Sequence, residues 1–117
     1  MMGDEDVAFC LKLMMSKGDG EKIPFVLKID RPKPVEDKSY NYVGFSRIEN
    51  GVVQEYMRIF GEGNFHAVCM GIFMVRSEID RLSRRYKFWR RVEVEDGDGF
   101  CEVGVDDLFP YTRKIGK

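Results

Sequence analysis

The chain has 117 residues, of which 44% are hydrophobic, 33% charged and 13% aromatic, and it carries a formal net charge of -1. That length accommodates one domain, residues 1–117, without room for a second core, and the apolar content excludes wholesale disorder. Near-neutrality disfavours a general nucleic-acid binder that works by neutralising phosphates, and no run approaches the roughly eighteen apolar residues of a membrane span.

The N-terminal stretch containing Asp4, Glu5 and Asp6 is acidic where a secretory signal would be basic, so a cytoplasmic location is expected. From residue 7 the pattern alternates, with Val7, Phe9, Leu11, Leu13 and Met15 on one side and Ala8, Cys10, Lys12 and Met14 on the other, which predicts a strand. Gly18 and Gly20 allow a reversal, and Phe25, Leu27 and Ile29 then mark a second strand ending at Asp30. The two prolines of Arg31-Pro32-Lys33-Pro34 remove ladder donors, so an exposed loop is expected up to Ser39. Two further strands, residues 40–48 and 52–60, flank Asn50-Gly51, a strong signal for a type I′ hairpin.

After the break at Gly61-Glu62-Gly63, Asn64 is the expected N-cap of a helix of about twenty residues. Its apolar stripe is read as Phe65, Val68, Cys69, Ile72, Phe73, Val75, Ile79, Leu82 and Tyr86. Arg76 with Asp80 and Asp80 with Arg84 are one turn apart on the outer side and able to pair. Beyond the helix, Val92 and Val94 alternate with Glu93 and Glu95, and Asp96-Gly97-Asp98-Gly99 turns the chain into residues 100–105. The expected fold is therefore α+β, an antiparallel sheet of four to six strands with one long amphipathic helix packed on one face.

No arrangement of residues assembles a catalytic site. His66 and Cys69 sit three residues apart, but zinc needs two more ligands, and Cys10 and Cys101 occur singly, so neither metal nor other cofactor is expected. The three cysteines are read as buried free thiols, a Cys10–Cys101 disulfide being the alternative. A calcium loop starting at Asp96 would put Cys101 at the invariant glycine and Asp107 at the bidentate glutamate, so a turn is the better reading. Gly61-Glu62-Gly63 lacks the lysine of a phosphate loop.

The charge distribution is uneven. Residues 76–91 hold seven bases and two acids, a local charge of +5, whereas residues 93–107 hold seven acids and no base. The acidic residues Glu93, Glu95, Asp96, Asp98, Glu102, Asp106 and Asp107, with Phe100, Phe109 and Tyr111 as aromatic anchors, form the first candidate surface, for a protein partner. The alternative is a basic patch of Arg81, Arg84, Arg85, Arg90 and Arg91 with Trp89, suited to nucleic acid. Trp89 is otherwise expected to close the helix against the sheet. A regulatory homodimer through the strand carrying Tyr40 and Tyr42 is a third possibility.

The succession of the strand ending at Asp30, Arg31-Pro32-Lys33-Pro34, the Asn50-Gly51 hairpin, Gly61-Glu62-Gly63 and a long helix ending near Trp89 resembles small bacterial sheet-plus-helix proteins, uncharacterised or of toxin-immunity type. The resemblance spans residues 23–89. It implies a non-catalytic immunity protein that neutralises a cognate toxin domain by direct binding, with no membrane association.

Overall fold

The computed structural model describes residues 6–36, 38–94 and 97–109, with backbone alone at 94, 97 and 98. Strands β1 (Val7–Ser16), β2 (Ile23–Asp30), β3 (Lys33–Pro34), β4 (Asn41–Glu49) and β5 (Val52–Gly61) precede helix α1 (Asn64–Leu82). Strands β6 (Lys87–Val94) and β7 (Gly97–Val103) and the one-turn helix α2 (Val105–Leu108) follow. The fold is α+β. Every described strand pair is antiparallel, in one seven-stranded sheet.

Across the sheet the strands run β5, β4, β2, β1, β6, β7, and β3 prolongs the β2 side of β4 by pairing Lys33 with Tyr42 and Pro34 with Asn41. This short strand takes the count to seven and corrects the expectation of an uninterrupted loop. Pro34 is tolerated because a two-residue strand at the sheet margin loses little by lacking a donor. The Asn50-Gly51 turn has the two positive φ angles, 52° and 82°, that a type I′ hairpin requires.

The alternation read in the first two strands places Leu13, Met15, Phe25, Leu27 and Ile29 in the core, joined from β4 by Val43 and Phe45. Helix α1 covers this face, packing on β5, β4 and β2. Its buried stripe is Ala67, Gly71, Val75, Glu78, Ile79 and Leu82. The expected stripe was therefore displaced around the helix axis: Phe65 is 83% exposed, Phe73 61%, and Cys69 is exposed as well. Small side chains explain the shift. A Cβ on Gly71 would lie 2.9 Å from Ile29 Cδ1 and 3.0 Å from Val43 Cγ2, so Gly71 lets the helix sit close to β2 and β4.

Three further expectations are corrected. The N-cap is Gly63, whose φ of 92° suits glycine, and Asn64 is the first helical residue, its Oδ1 accepting a 2.6 Å bond from Asn41 Nδ2. The helix stops at Leu82, where the Ser83 amide donates to Ile79 O and the Tyr86 amide to Leu82 O. Phe88 and Trp89 therefore belong to β6, Phe88 buried against Phe25 with ring centroids 5.0 Å apart. Gly97 and Gly99 lie in β7, paired with Val94 and Val92, and not in a turn.

Where β5 hands over to α1, the backbone passes close against the first turn of the helix. A Cβ on Gly61 would collide with the Ala67 amide nitrogen and lie 2.7 Å from Ala67 Cα, backbone atoms unable to swing aside. Gly61→Ala is expected to destabilise the protein by about 1–3 kcal/mol, as other overpacked sites do. The check is the urea midpoint at constant m; an unshifted midpoint means the junction relaxes without cost.

Candidate functional site

The face of the sheet opposite α1 has no described layer over it. Alternation directs Lys12, Met14, Val26, Lys28, Tyr42, Tyr56, Arg58, Phe60, Trp89 and Arg91 to this side. At one end Tyr42 and Phe60 pack at 5.9 Å, Tyr40 and Phe60 at 6.4 Å, and Arg58 stacks 4.6 Å over Tyr42. A shallow hollow of about 510 Å³ opens here, lined by Tyr40, Phe60, Gly61, Glu62 and His66. His66 Nδ1 accepts the Glu62 N–H at 2.8 Å, which leaves Nε2 as the available ring nitrogen.

At the other end of the same face, Trp89 Nε1 donates to Ser16 Oγ at 2.8 Å, and Lys22 Nζ lies 4.3 Å above the indole and 5.4 Å from the Phe100 ring. Arg91 stacks on Phe100 at 5.8 Å. Trp89 thus fastens β6 to β1 on the open face, where the sequence suggested a contact closing the helix against the sheet.

The acidic candidates are dispersed over three elements. Glu93 lies on β6, Glu102 on β7, and Asp106 and Asp107 on α2, where Asp107 Oδ2 accepts the Gly104 N–H at 2.7 Å. Asp98 belongs to β7 by its backbone, whereas Glu95, Asp96 and Tyr111 lie outside the described residues. Among the aromatic anchors, Phe100 is 39% exposed, but Phe109 packs against the core.

The basic candidates also separate. Arg90 and Arg91 are consecutive in β6 and so point to opposite faces. Arg81, Arg84 and Arg85 gather at the end of α1, where the structure adds a residue sequence reading missed, Arg47 of β4. Its sequence signal is weak: a lone arginine in an apolar strand, 31 positions before the glutamate it meets. That glutamate, Glu78, is only 6% exposed. It accepts from Arg81 Nε at 3.0 Å and Arg81 Nη2 at 2.8 Å, and its Oε2 lies 3.1 Å from Arg47 Nε. Arg47 also bonds Glu49 through Nη1 and lies 3.8 Å from Glu55. Hydrogen bonding to Glu78 raises the Arg81 pKa, locking in a charge that guanidinium holds anyway. The expected Asp80–Arg84 pair is not formed among the described residues.

All three cysteines are free and exposed, which corrects the expectation of buried thiols. Cys10 falls on the outward pleat between Phe9 and Leu11, Cys69 lies off the buried helical stripe, and Cys101 sits on the edge strand β7. Among the described residues no group of three or more His, Cys, Asp or Glu side chains is placed to hold a metal ion. No described helix is long and apolar enough to cross a membrane.

With this geometry in hand, the chain matches no protein family, no curated protein and no solved structure.

One buried carboxylate is left incompletely hydrogen-bonded among the described residues. Asp30, at the end of β2, is 5% exposed and its Oδ1 has no hydrogen-bond partner among the described residues. Burial raises its pKa, opposed by Lys28 and Lys33 and reinforced by Asp6. A carboxylate whose pKa is higher folded than unfolded destabilises the native state once pH exceeds the folded value, and that cost vanishes as pH falls below the unfolded value. Asp30→Asn is therefore expected to raise stability at neutral pH, the gain closing towards pH of about 3, below the unfolded carboxylate pKa. Urea melts at both pH values measure it; identical midpoints at neutral pH would count against a buried charge here.

Proposed function

We propose that this chain is a non-catalytic protein-binding domain that receives an extended segment of its partner along the free edge of β5. One observation carries the reading: β5 is ten residues long, pairs only with β4 among the described strands, and leaves Val52, Val53, Tyr56 and Phe60 at least half exposed. An unpaired edge with large apolar side chains is a template for strand addition, in which main-chain bonds supply affinity and side-chain pockets supply selectivity. The hollow beside Phe60, walled by Tyr40 and His66, lies at the end of that edge and suits an apolar side chain of the incoming strand. The opposite edge differs. Strand β7 is shorter and bears Glu102, the kind of charge that blunts edges against pairing.

Within this class, the resemblance to immunity proteins makes a toxin domain the proposed partner and inhibition by direct binding the proposed mode. Glu93 and Glu102, on the strands that carry Arg91 and Phe100, would supply steering towards a basic partner surface.

The test is affinity purification from the source cells with wild-type protein beside the Val53→Lys/Tyr56→Lys variant, whose substitutions are both at exposed positions. The expected result is a partner whose recovery falls at least about tenfold with the variant, as loss of an edge-strand interface should produce. A partner recovered undiminished overturns the β5 reading. Sedimentation as a dimer that these substitutions dissociate replaces it with homo-oligomerisation. For the toxin-inhibitor form, Glu93→Gln/Glu102→Gln should slow association and flatten its salt dependence; an unchanged rate removes the acidic residues from the interface.

A further inference from the structure

We infer that the cleft at the C-terminal end of α1 is a binding site for a small phosphate-bearing molecule, independent of the β5 edge. The cleft, about 370 Å³, is lined by Arg47 and Glu49 from β4, Arg81 from the last turn of α1, Arg84 and Arg85 from the turn that follows, and Tyr86. Four arginines from three segments thus line one space large enough for a phosphorylated sugar or a mononucleotide.

Two of the four are held in place. Arg81 gives Nε and Nη2 to Glu78, and Arg47 gives Nη1 to Glu49 while its Nε faces Glu78. Arg81 is fixed by two hydrogen bonds to the buried Glu78 and Arg47 by its bond to Glu49, Arg47 Nε standing beside Glu78 as an ion pair without a hydrogen bond, so their remaining Nη groups are oriented before any ligand arrives, which reduces the ordering cost of binding. The other two are unmatched. No carboxylate among the described residues lies within ion-pair range of Arg84 or Arg85.

Capping of the helix does not explain these two side chains. The amides of Ser83, Arg85 and Tyr86 already bond the Ile79 and Leu82 carbonyls, and Ser83 Oγ donates to Ile79 O as well. Arg84 and Arg85 therefore stand beside a positioned arginine pair with no side-chain hydrogen bond or ion pair among the described residues. Planar guanidinium forks match the oxygen geometry of a phosphate dianion, and several together supply the charge that a phosphate requires. Tyr86 offers a flat, half-buried wall for the organic part of the ligand.

One carboxylate in the lining, Glu49, and one paired behind it, Glu78, set the selectivity. Glu49 and Glu78 offset much of the arginine charge, so the site carries only a modest positive excess, suited to one phosphoryl group and unsuited to a long polyanion.

The experiment is NMR titration of the full chain with inorganic phosphate, ribose 5-phosphate and adenosine monophosphate, following the arginine Nε–Hε signals. The expected result is a saturable shift of Arg81, Arg84 and Arg85, with dissociation constants at or below about 1 mM. Arg84→Gln/Arg85→Gln should weaken binding at least about tenfold, as loss of two charge-assisted donors predicts, while Arg90→Gln/Arg91→Gln leaves it unchanged. Tighter binding of either ester than of phosphate identifies a phosphorylated metabolite as ligand; equal affinities identify phosphate itself. The inference is overturned if no shift saturates, if the Arg90/Arg91 variant loses binding equally, or if single-stranded RNA binds the same arginines far more tightly than all three probes. Failure of the β5 edge experiment would leave this site untouched, since the two share no residue.

Discussion

A single 19-residue helix has to serve a seven-stranded sheet. Strands lie about 4.8 Å apart and a helix with its side chains is about 10 Å wide, so α1 can shield only two or three strands. It shields β5, β4 and β2, and it approaches closely because Ala67 and Gly71 occupy its inner stripe. The rest of that face is completed from other elements: Phe88 packs on Phe25, and Leu108 and Phe109 join the core from α2 and the residue after it. On the other face there is no described second layer, so the sheet's outward side chains meet solvent or each other. Cation–aromatic stacking of Lys22, Arg58 and Arg91 is the local result.

The parts of the fold that depend on nearest neighbours were legible in the sequence. Period-two alternation identified β1 and β2, and Asn50-Gly51 identified the β4–β5 turn with its positive φ angles. The rotational setting of α1 was not legible, because a hydrophobic count favours Phe65, Cys69 and Phe73 over alanine and glycine. What decided the setting was steric: the side of the helix with least bulk fits against Ile29 and Val43. The same count places Cys69 inside, whereas Cys10 and Cys101 are read as buried only because apolar residues flank them in sequence. Strand β6 begins at Lys87, five residues before the alternation at Val92 suggested, because the chain needs only the turn after Leu82 to leave the helix.

The candidate sites were visible as residue types and hidden as groupings. Arg81, Arg84 and Arg85 were singled out together and do lie together, but Arg90 and Arg91 were counted with them although successive strand residues diverge. Arg47 could be found only from the register of β4 against the helix, and Glu78 only from the stripe that buries it. A one-dimensional charge plot of +5 followed by its acidic counterpart gives way to a different picture. The buried carboxylate of Glu78 organises the basic end of α1, and the described acidic residues are spread along β6, β7 and α2.

The crossing made by α1 also fixes an order of events in time. Strands β1 to β5 are joined by local turns and can pair as the chain is made, but β1 occupies the interior of the finished sheet and receives its second neighbour only from β6. Until residues 87–94 exist, the Met14 to Ser16 end of β1 is an open edge with a greasy inner face, the sort of intermediate surface that favours misassociation. Closing it demands a contact across some seventy residues, a slow step by loop-closure entropy. The chain's one tryptophan stands at that seam: Trp89 pairs with Met14 and bonds Ser16, so its packing marks the moment β6 joins β1.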